Sequence, residues 1–188
     1  MTNNRKIQAS EKALKFIGDN PSFDISEFID RISISDDWAK IVVAHIYLDH
    51  IVTEILKDKF ENPGNYLEGK GFSEKLALCK AFGYFDDKFG NVLRAINKSR
   101  NKFAHKLVFI VSDQEKRDLF RTLTTERPIS DVTQPGGFEE FLITVVMFAE
   151  VYRAGEKRSA EISKEYNFVS EKILELLIAN KNLLDGKI

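Results

Sequence analysis

The sequence predicts an all-α fold, a single-domain bundle of about six to eight helices with a long C-terminal helical segment. Three observations lead to this prediction. Apolar residues recur every three or four positions through most of the chain, which is the spacing of one helix face. No hairpin signal, low-complexity tract or internal repeat is present. The chain has 188 residues, of which 43% are hydrophobic, so it is long enough to bury one core.

The composition excludes several classes of protein. Lys and Arg number 28 and Asp and Glu number 29, so the formal charge of -1 creates no overall positive field that would attract nucleic acid. The single cysteine, Cys79, allows neither an internal disulfide nor a cysteine-based metal site. No phosphate-binding loop or metal-ligand spacing is present, so we predict no metal and no cofactor. Without a signal peptide or a bilayer-spanning apolar run, we predict a cytoplasmic protein that does not bind membranes.

The first third of the chain is predicted to form three helices. A short helix is expected at residues 10–18 and a second at residues 23–34. The most apolar helix is expected at residues 36–60, and we expect it to be central because its apolar residues cover more than one face. Residues 62–65, Asn-Pro-Gly-Asn, are typical of a turn.

His45, Asp49 and His50 interrupt this apolar helix. The simpler interpretation places these polar side chains in gaps towards solvent, where polar residues usually lie. The alternative makes Asp49 the partner of Arg100, which lies on a later helix. His45 and Asp49 share one helix face, but two such residues make a poor metal site without a third ligand.

The rest of the chain is also predicted to be helical. A helix at residues 74–82 is expected to be capped by Ser73 and ended by Gly83. Residues 124–137 contain two prolines and two glycines, and a loop of this length suggests function or mobility. Further helices are predicted at residues 86–106, 112–123 and 138–185.

The helix at residues 86–106 carries the residues that most suggest function. Its apolar stripe consists of Phe89, Leu93, Ile96 and Phe103 and continues to Leu107. Arg100 occupies the place in this stripe where another apolar residue is expected. A buried charge without partners costs several kcal/mol, so the guanidinium must find acceptors. His105, the side-chain type that titrates near neutral pH, follows five residues later.

Arg100, Asn101 directly after it and His105 resemble the R-x(4–6)-H signature of HEPN domains. HEPN domains are all-α, and many are metal-independent ribonucleases of toxin–antitoxin and phage-defence systems. A longer segment, residues 71–87 followed by the RNKFAH block, is similar to the MltR (mannitol operon repressor) family. This resemblance covers roughly residues 39–123, about half the chain. It implies an all-α regulator, because MltR proteins have no established catalysis.

The first interpretation of the motif is catalytic. RNA carries its own nucleophile, the 2′-OH, so cleavage needs a base, an acid and a cation for the developing negative charge. His105 would act as base or acid, Arg100 as phosphate clamp and Asn101 as an orienting amide. On a continuous helix Arg100 and His105 lie about 140° apart around the axis and about 7.5 Å along it. They converge only if the helix breaks or two copies pair, and HEPN ribonucleases resemble the second case.

The second interpretation is structural. Arg100 would form a buried ion pair with Asp49 or Glu54, and His105 would lie at a helix C-terminus, where the dipole favours its cation. The motif would then hold helices together. We favour this interpretation, because the resemblance to a regulator family is the longer one and because few basic residues surround the motif.

Two functional hypotheses follow. The first is a non-enzymatic, MltR-like regulatory protein that binds a macromolecular partner, with homodimerisation as a further expectation. A protein partner is favoured, such as a basic nuclease toxin that this chain would neutralise as an immunity or antitoxin protein, and transcriptional regulation is the other form of this hypothesis. Asp131, Glu139 and Glu140, which flank the long loop, are candidates for contacting a basic partner. The alternative is a metal-independent endoribonuclease that binds RNA and uses Arg100, Asn101 and His105.

Overall fold

The computed structural model describes residues 21–57, 60, 62–106, 110–122 and 131–155. Within this part of the chain all regular elements are helices, which confirms the all-α prediction. Ser22–Arg153 forms one compact unit. The single-domain prediction for residues 1–188 stays a prediction, because nearly all of Met1–Pro21 and Ala154–Ile188 lies outside the described residues.

Seven helices make up the described part of the chain. The predicted helix at residues 10–18 and the C-terminal prediction beyond residue 155 lie outside it. In chain order the helices are α1 (Ile25–Ser33), α2 (Asp37–Lys57), α3 (Pro63–Leu67), α4 (Phe72–Ala81), α5 (Asp87–Lys106), α6 (Asp113–Arg121) and α7 (Gly137–Gly155). None of them is long and apolar enough to cross a membrane.

The helix α2 lies at the centre of the bundle, as its sequence predicted. It packs against α1, α3, α4 and α5, while α5 also contacts α4 and α6. The reason is its apolar surface, which is too wide to be covered by one neighbour. The buried apolar residues of α2 are Ile41, Ala44, Leu48, Ile51, Val52, Ile55 and Leu56.

Local signals explain where several helices begin and end. Ser112 accepts a hydrogen bond from the backbone N–H of Glu115 and its own N–H is bonded by the Glu115 carboxylate, so the predicted start of α6 is confirmed. Gly83 has φ of 77° and follows the last turn of α4, as predicted. The N–H groups of Gly83 and Tyr84 bond to the carbonyls of Lys80 and Cys79, which satisfies two carbonyls at the helix end.

Two local predictions were wrong. The helix α4 begins at Phe72 rather than after a Ser73 cap. The backbone N–H of Gly71 donates to the Glu74 carboxylate, so Gly71 is the N-cap and the helix starts two residues earlier than predicted. Ser73 is free to bond elsewhere as a result. The predicted turn at residues 62–65 is part of the one-turn helix α3, whose first residue is Pro63, a position where its missing N–H costs nothing.

The helix α7 is buried on all sides along most of its length. Phe141 lies against Phe120 of α6, with ring centroids 5.8 Å apart, and Phe148 lies 6.4 Å from Phe89 of α5. A helix that is apolar all round belongs in a protein interior. In the described part of the chain, α7 is therefore a second largely buried helix beside α2.

Candidate functional site

The R-x4-H motif lies on the last two turns of α5. The apolar stripe of this helix is buried as predicted, from Phe89 to Phe103. Arg100 is only half-buried, and its Nη1 donates to Oδ1 of Asn101 at 3.1 Å. Asn101 thus orients the guanidinium, although it is a neutral acceptor on the adjacent residue.

The predicted ion pair of Arg100 with Asp49 or Glu54 is not formed. Nζ of Lys75, on α4, lies 2.9 and 3.1 Å from the two carboxylate oxygens of Asp49. Glu54 pairs with Lys57 one turn further along α2, at 2.6 Å. Both carboxylates have nearer cations, so Arg100 does not hold α5 to α2 through charge.

The backbone of α5 is helical through Lys106, so Arg100 and His105 belong to one continuous helix. The side chain of His105 lies outside the described residues. On a continuous helix these positions are about 140° apart around the axis. A break in the helix therefore does not bring the two residues together, and a shared site would need a second copy of the chain.

The structure reveals a chain of hydrogen bonds that connects three helices and runs from buried His45 through half-buried Asn97 to exposed Ser73. His45 of α2, which is 8% exposed, bonds through Nε2 to Oδ1 of Asn97 on α5 at 2.9 Å. The Asn97 amide then donates to Oγ of Ser73 on α4, also at 2.9 Å. Because Oδ1 of Asn97 is an acceptor, Nε2 of His45 carries the proton. The expectation that His45 faces solvent was wrong.

Burial lowers the pKa of His45, since a buried cation loses its hydration. The hydrogen bond to Asn97 raises this pKa, the positive charge of Arg100 lowers it, Asp49 raises it and Lys75 lowers it. Burial prevails, so the imidazole is neutral at neutral pH. The only hint in the sequence was a histidine inside an apolar helix, and nothing in the sequence connected it with Asn97.

The pKa shift of His45 predicts that acid destabilises the fold. The folded-state pKa lies below the unfolded value of about 6.5, so the unfolded state binds more protons in that window. The free energy of unfolding should therefore fall as the pH drops from about 6.5 to the folded pKa. His45→Gln keeps a donor for Asn97 and should remove this dependence, as measured by urea unfolding at several pH values. His50→Gln, at an exposed ring, is the control, and an unchanged pH profile in His45→Gln would contradict the prediction.

Arg100→Ala is expected to change the free energy of unfolding by less than about 1 kcal/mol. The half-buried guanidinium bonds to a neutral amide and leaves no carboxylate behind when it is removed. Arg94→Ala on the same helix is a matched control, since Arg94 also bonds to a nearby asparagine, Asn91, at 2.7 Å. Thermal melts compare the two, and a far larger loss in Arg100→Ala would mean that Arg100 has a structural role its contacts do not indicate.

The acidic residues predicted to contact a partner have different environments. Glu139 is half-buried, pairs with Lys40 at 3.0 Å and accepts a hydrogen bond from Ser33 at 2.8 Å. Asp131 is exposed, and its carboxylate bonds to the backbone and hydroxyl of Thr133. Glu140 lies beside Glu139 in the first turn of α7. Of the three, Glu139 is therefore engaged in contacts within this chain, with Lys40 and Ser33.

Comparisons with protein-family models, with curated proteins and with solved structures found no match to this chain. The similarity to HEPN and MltR proteins therefore stays an expectation from the motif. Among the described residues, no three His, Cys, Asp or Glu side chains come together as metal ligands.

Proposed function

We propose that this protein is a non-enzymatic helical regulatory protein of the MltR type, which acts by binding a protein partner. The observation that carries the proposal is that two of the lysines near the motif are paired with carboxylates. Lys75 pairs with Asp49, and Lys102 pairs with Glu115. Binding to RNA or DNA draws its affinity from lysine and arginine contacts to phosphate, and these two lysines are already engaged.

Exposed acidic side chains on and beside α1 support a basic partner. Asp24, Asp30 and Asp36 are exposed along and beside this helix. Ile34, at its C-terminal end, is 88% exposed and would give such an interface an apolar contact. A basic nuclease toxin has the complementary charge, so the specific form we propose is an immunity or antitoxin protein. A transcriptional regulator that acts through a protein contact is the other form.

The test is co-purification of the tagged protein from its native host, followed by mass spectrometry of what is retained. We expect a basic protein that is released by salt, because exposed ion pairs are screened. Reversing two charges, Asp30→Lys with Asp36→Lys, should abolish retention. Glu68→Lys, an exposed reversal beside α3, is the control and should retain the partner. Recovery of only free monomer or homodimer would contradict the proposal.

A metal-independent endoribonuclease is the second candidate, and the environment of Arg100 favours it. Its guanidinium is partly exposed, donates to Asn101 and pairs with neither predicted carboxylate. Donors that remain available suit a phosphate, which arginine binds through two parallel hydrogen bonds. In this candidate His105 would transfer the proton, and a homodimer would bring two motifs together.

The two candidates differ in one assay. The ribonuclease should cut RNA in EDTA, leave 2′,3′-cyclic phosphate ends and be toxic when expressed. Arg100→Ala and His105→Ala should each abolish cleavage, whereas Arg94→Ala should not. The interaction protein should leave total RNA uncut. Cleavage that depends on both motif residues would replace the first proposal with the second.

A further inference from the structure

A groove of about 570 Å³ lies between α5 and α6 and is lined by residues of these two helices. It exists because α5 presents small side chains there, Ala95 and Ser99, one turn apart. Leu119 of α6 forms part of the opposite wall. Most of the lining surface is apolar, and the volume is in the range of small-molecule sites.

The charged side chains around this groove differ in whether they have a partner of opposite charge. Lys102 on α5 pairs with Glu115 on α6. Asp118 accepts a hydrogen bond from Gln114 at 2.8 Å and lies 3.5 Å from Nη1 of Arg121. Lys98 is exposed and pairs with no carboxylate in the part of the chain that the structure describes. The lining therefore holds two lysines and two carboxylates, and Lys98 is the lysine that remains available to an anionic group of a ligand.

We propose that this groove binds a small organic monoanion with an apolar body, such as an aromatic or alkyl carboxylate or sulfonate. The apolar body would lie on Ala95 and Leu119, and the anionic group would receive hydrogen bonds from Lys98 and the Ser99 hydroxyl. A charge-assisted hydrogen bond of this kind is stronger than one between neutral groups. The site is separate from the partner-binding surface on α1 and would give the protein a small-molecule ligand.

The acidic wall limits the charge of the ligand. Glu115 and Asp118 line the groove from α6, whereas Lys98 lines it from α5. A polyanion such as RNA would place several phosphates near these carboxylates and be repelled. A single negative charge at the Lys98 end, with an uncharged remainder, meets no such repulsion.

The experiment uses two fluorescent probes with the same aromatic body. One is 8-anilinonaphthalene-1-sulfonate, which carries one negative charge, and the other is N-phenyl-1-naphthylamine, which carries none. We expect saturable binding of the anionic probe with one site per chain. It should bind at least about tenfold more tightly than the neutral probe, because only the anion engages Lys98.

Variants of the full chain locate the site. Lys98→Glu should lower the affinity for the anionic probe at least about tenfold and leave the affinity for the neutral probe nearly unchanged. Ala95→Phe should block both probes by filling the groove, with Ser99→Leu as a second blocking variant if the first fails to fold by circular dichroism. Lys88→Glu makes the same charge change about 15 Å earlier on α5, outside the groove, and should bind both probes as the wild type does.

Three results would overturn the proposal. The first is the absence of saturable binding of the anionic probe. The second is equal affinity for both probes, combined with wild-type affinities in the Lys98→Glu variant. This result would indicate a purely apolar groove suited to a side chain of a protein partner. The third is an equal loss of affinity in Lys88→Glu and Lys98→Glu, which would indicate a general effect of surface charge.

Discussion

Glu150→Ala is expected to lower the free energy of unfolding by about 3–5 kcal/mol, among the largest effects of any single substitution in the described chain. Glu150 lies on α7 with 0% of its surface exposed. Its carboxylate accepts hydrogen bonds from the backbone N–H and hydroxyl of Ser22, at 2.6 and 2.8 Å, and from the guanidinium of Arg153. Truncation removes the buried carboxylate that these half-buried donors are arranged around, and urea unfolding would measure the loss.

Glu139→Ala is the matched control for this prediction. Glu139 is on the same helix and also has a cation partner, Lys40, but it is half-buried. Partly exposed ion pairs contribute about 1 kcal/mol or less, so its loss should be small. Equal effects of the two substitutions would mean that burial does not strengthen the contacts of Glu150.

Phe89→Ala should cost about 3–5 kcal/mol, because it removes a large side chain from the contact between α5 and α7. Phe89 is 2% exposed. Its ring centroid lies 5.1 Å from that of Tyr152, in a stacked arrangement, and 5.5 Å from that of Phe85. The cavity left by alanine would be lined by aromatic rings that cannot collapse into it without moving a helix. Thermal or urea unfolding measures the change.

The control is Phe82→Ala, a nearby substitution of the same type. Phe82 is 48% exposed, and its ring lies edge-to-face with the rings of Phe60 and Tyr84, at centroid distances of 5.8 and 6.2 Å. Its removal should cost much less than that of Phe89, since much of its apolar surface already faces water. A similar loss of unfolding free energy in both variants would show that the aromatic contact between α5 and α7 stabilises the fold no more than the exposed ring of Phe82 does.

Features that depend on neighbours in the sequence were predicted well. The bounds of α5 agree with the prediction to within one residue at the N-terminal end, and its apolar stripe is buried. The Ser112 cap and the Gly83 terminator also depend on a few adjacent residues. The error at α4 arose because both Gly71 and Ser73 can begin a helix, and the Glu74 carboxylate selects the first.

The candidate site was predicted only in part. Arg100 and Asn101 were identified correctly as adjacent polar residues on α5, but the partner assigned to Arg100 was wrong. The polar chain through His45, Asn97 and Ser73 was missed, because its members are 52 and 24 positions apart. Single-sequence periodicity shows which residues share a helix face, but it does not show which faces of different helices meet.

The sequence by itself determined the helical class, the bounds of most described helices and the face of α5 that enters the core. These properties follow from spacing and capping, which act within a few residues. Only the tertiary structure decided that Asp49 pairs with Lys75 and that His45 is buried against Asn97. The choice of partner depends on how α2, α4 and α5 approach one another, and a charge pairs with the nearest well-placed opposite charge. That geometry is why Arg100 bonds to Asn101 and to neither of the carboxylates the sequence proposed for it.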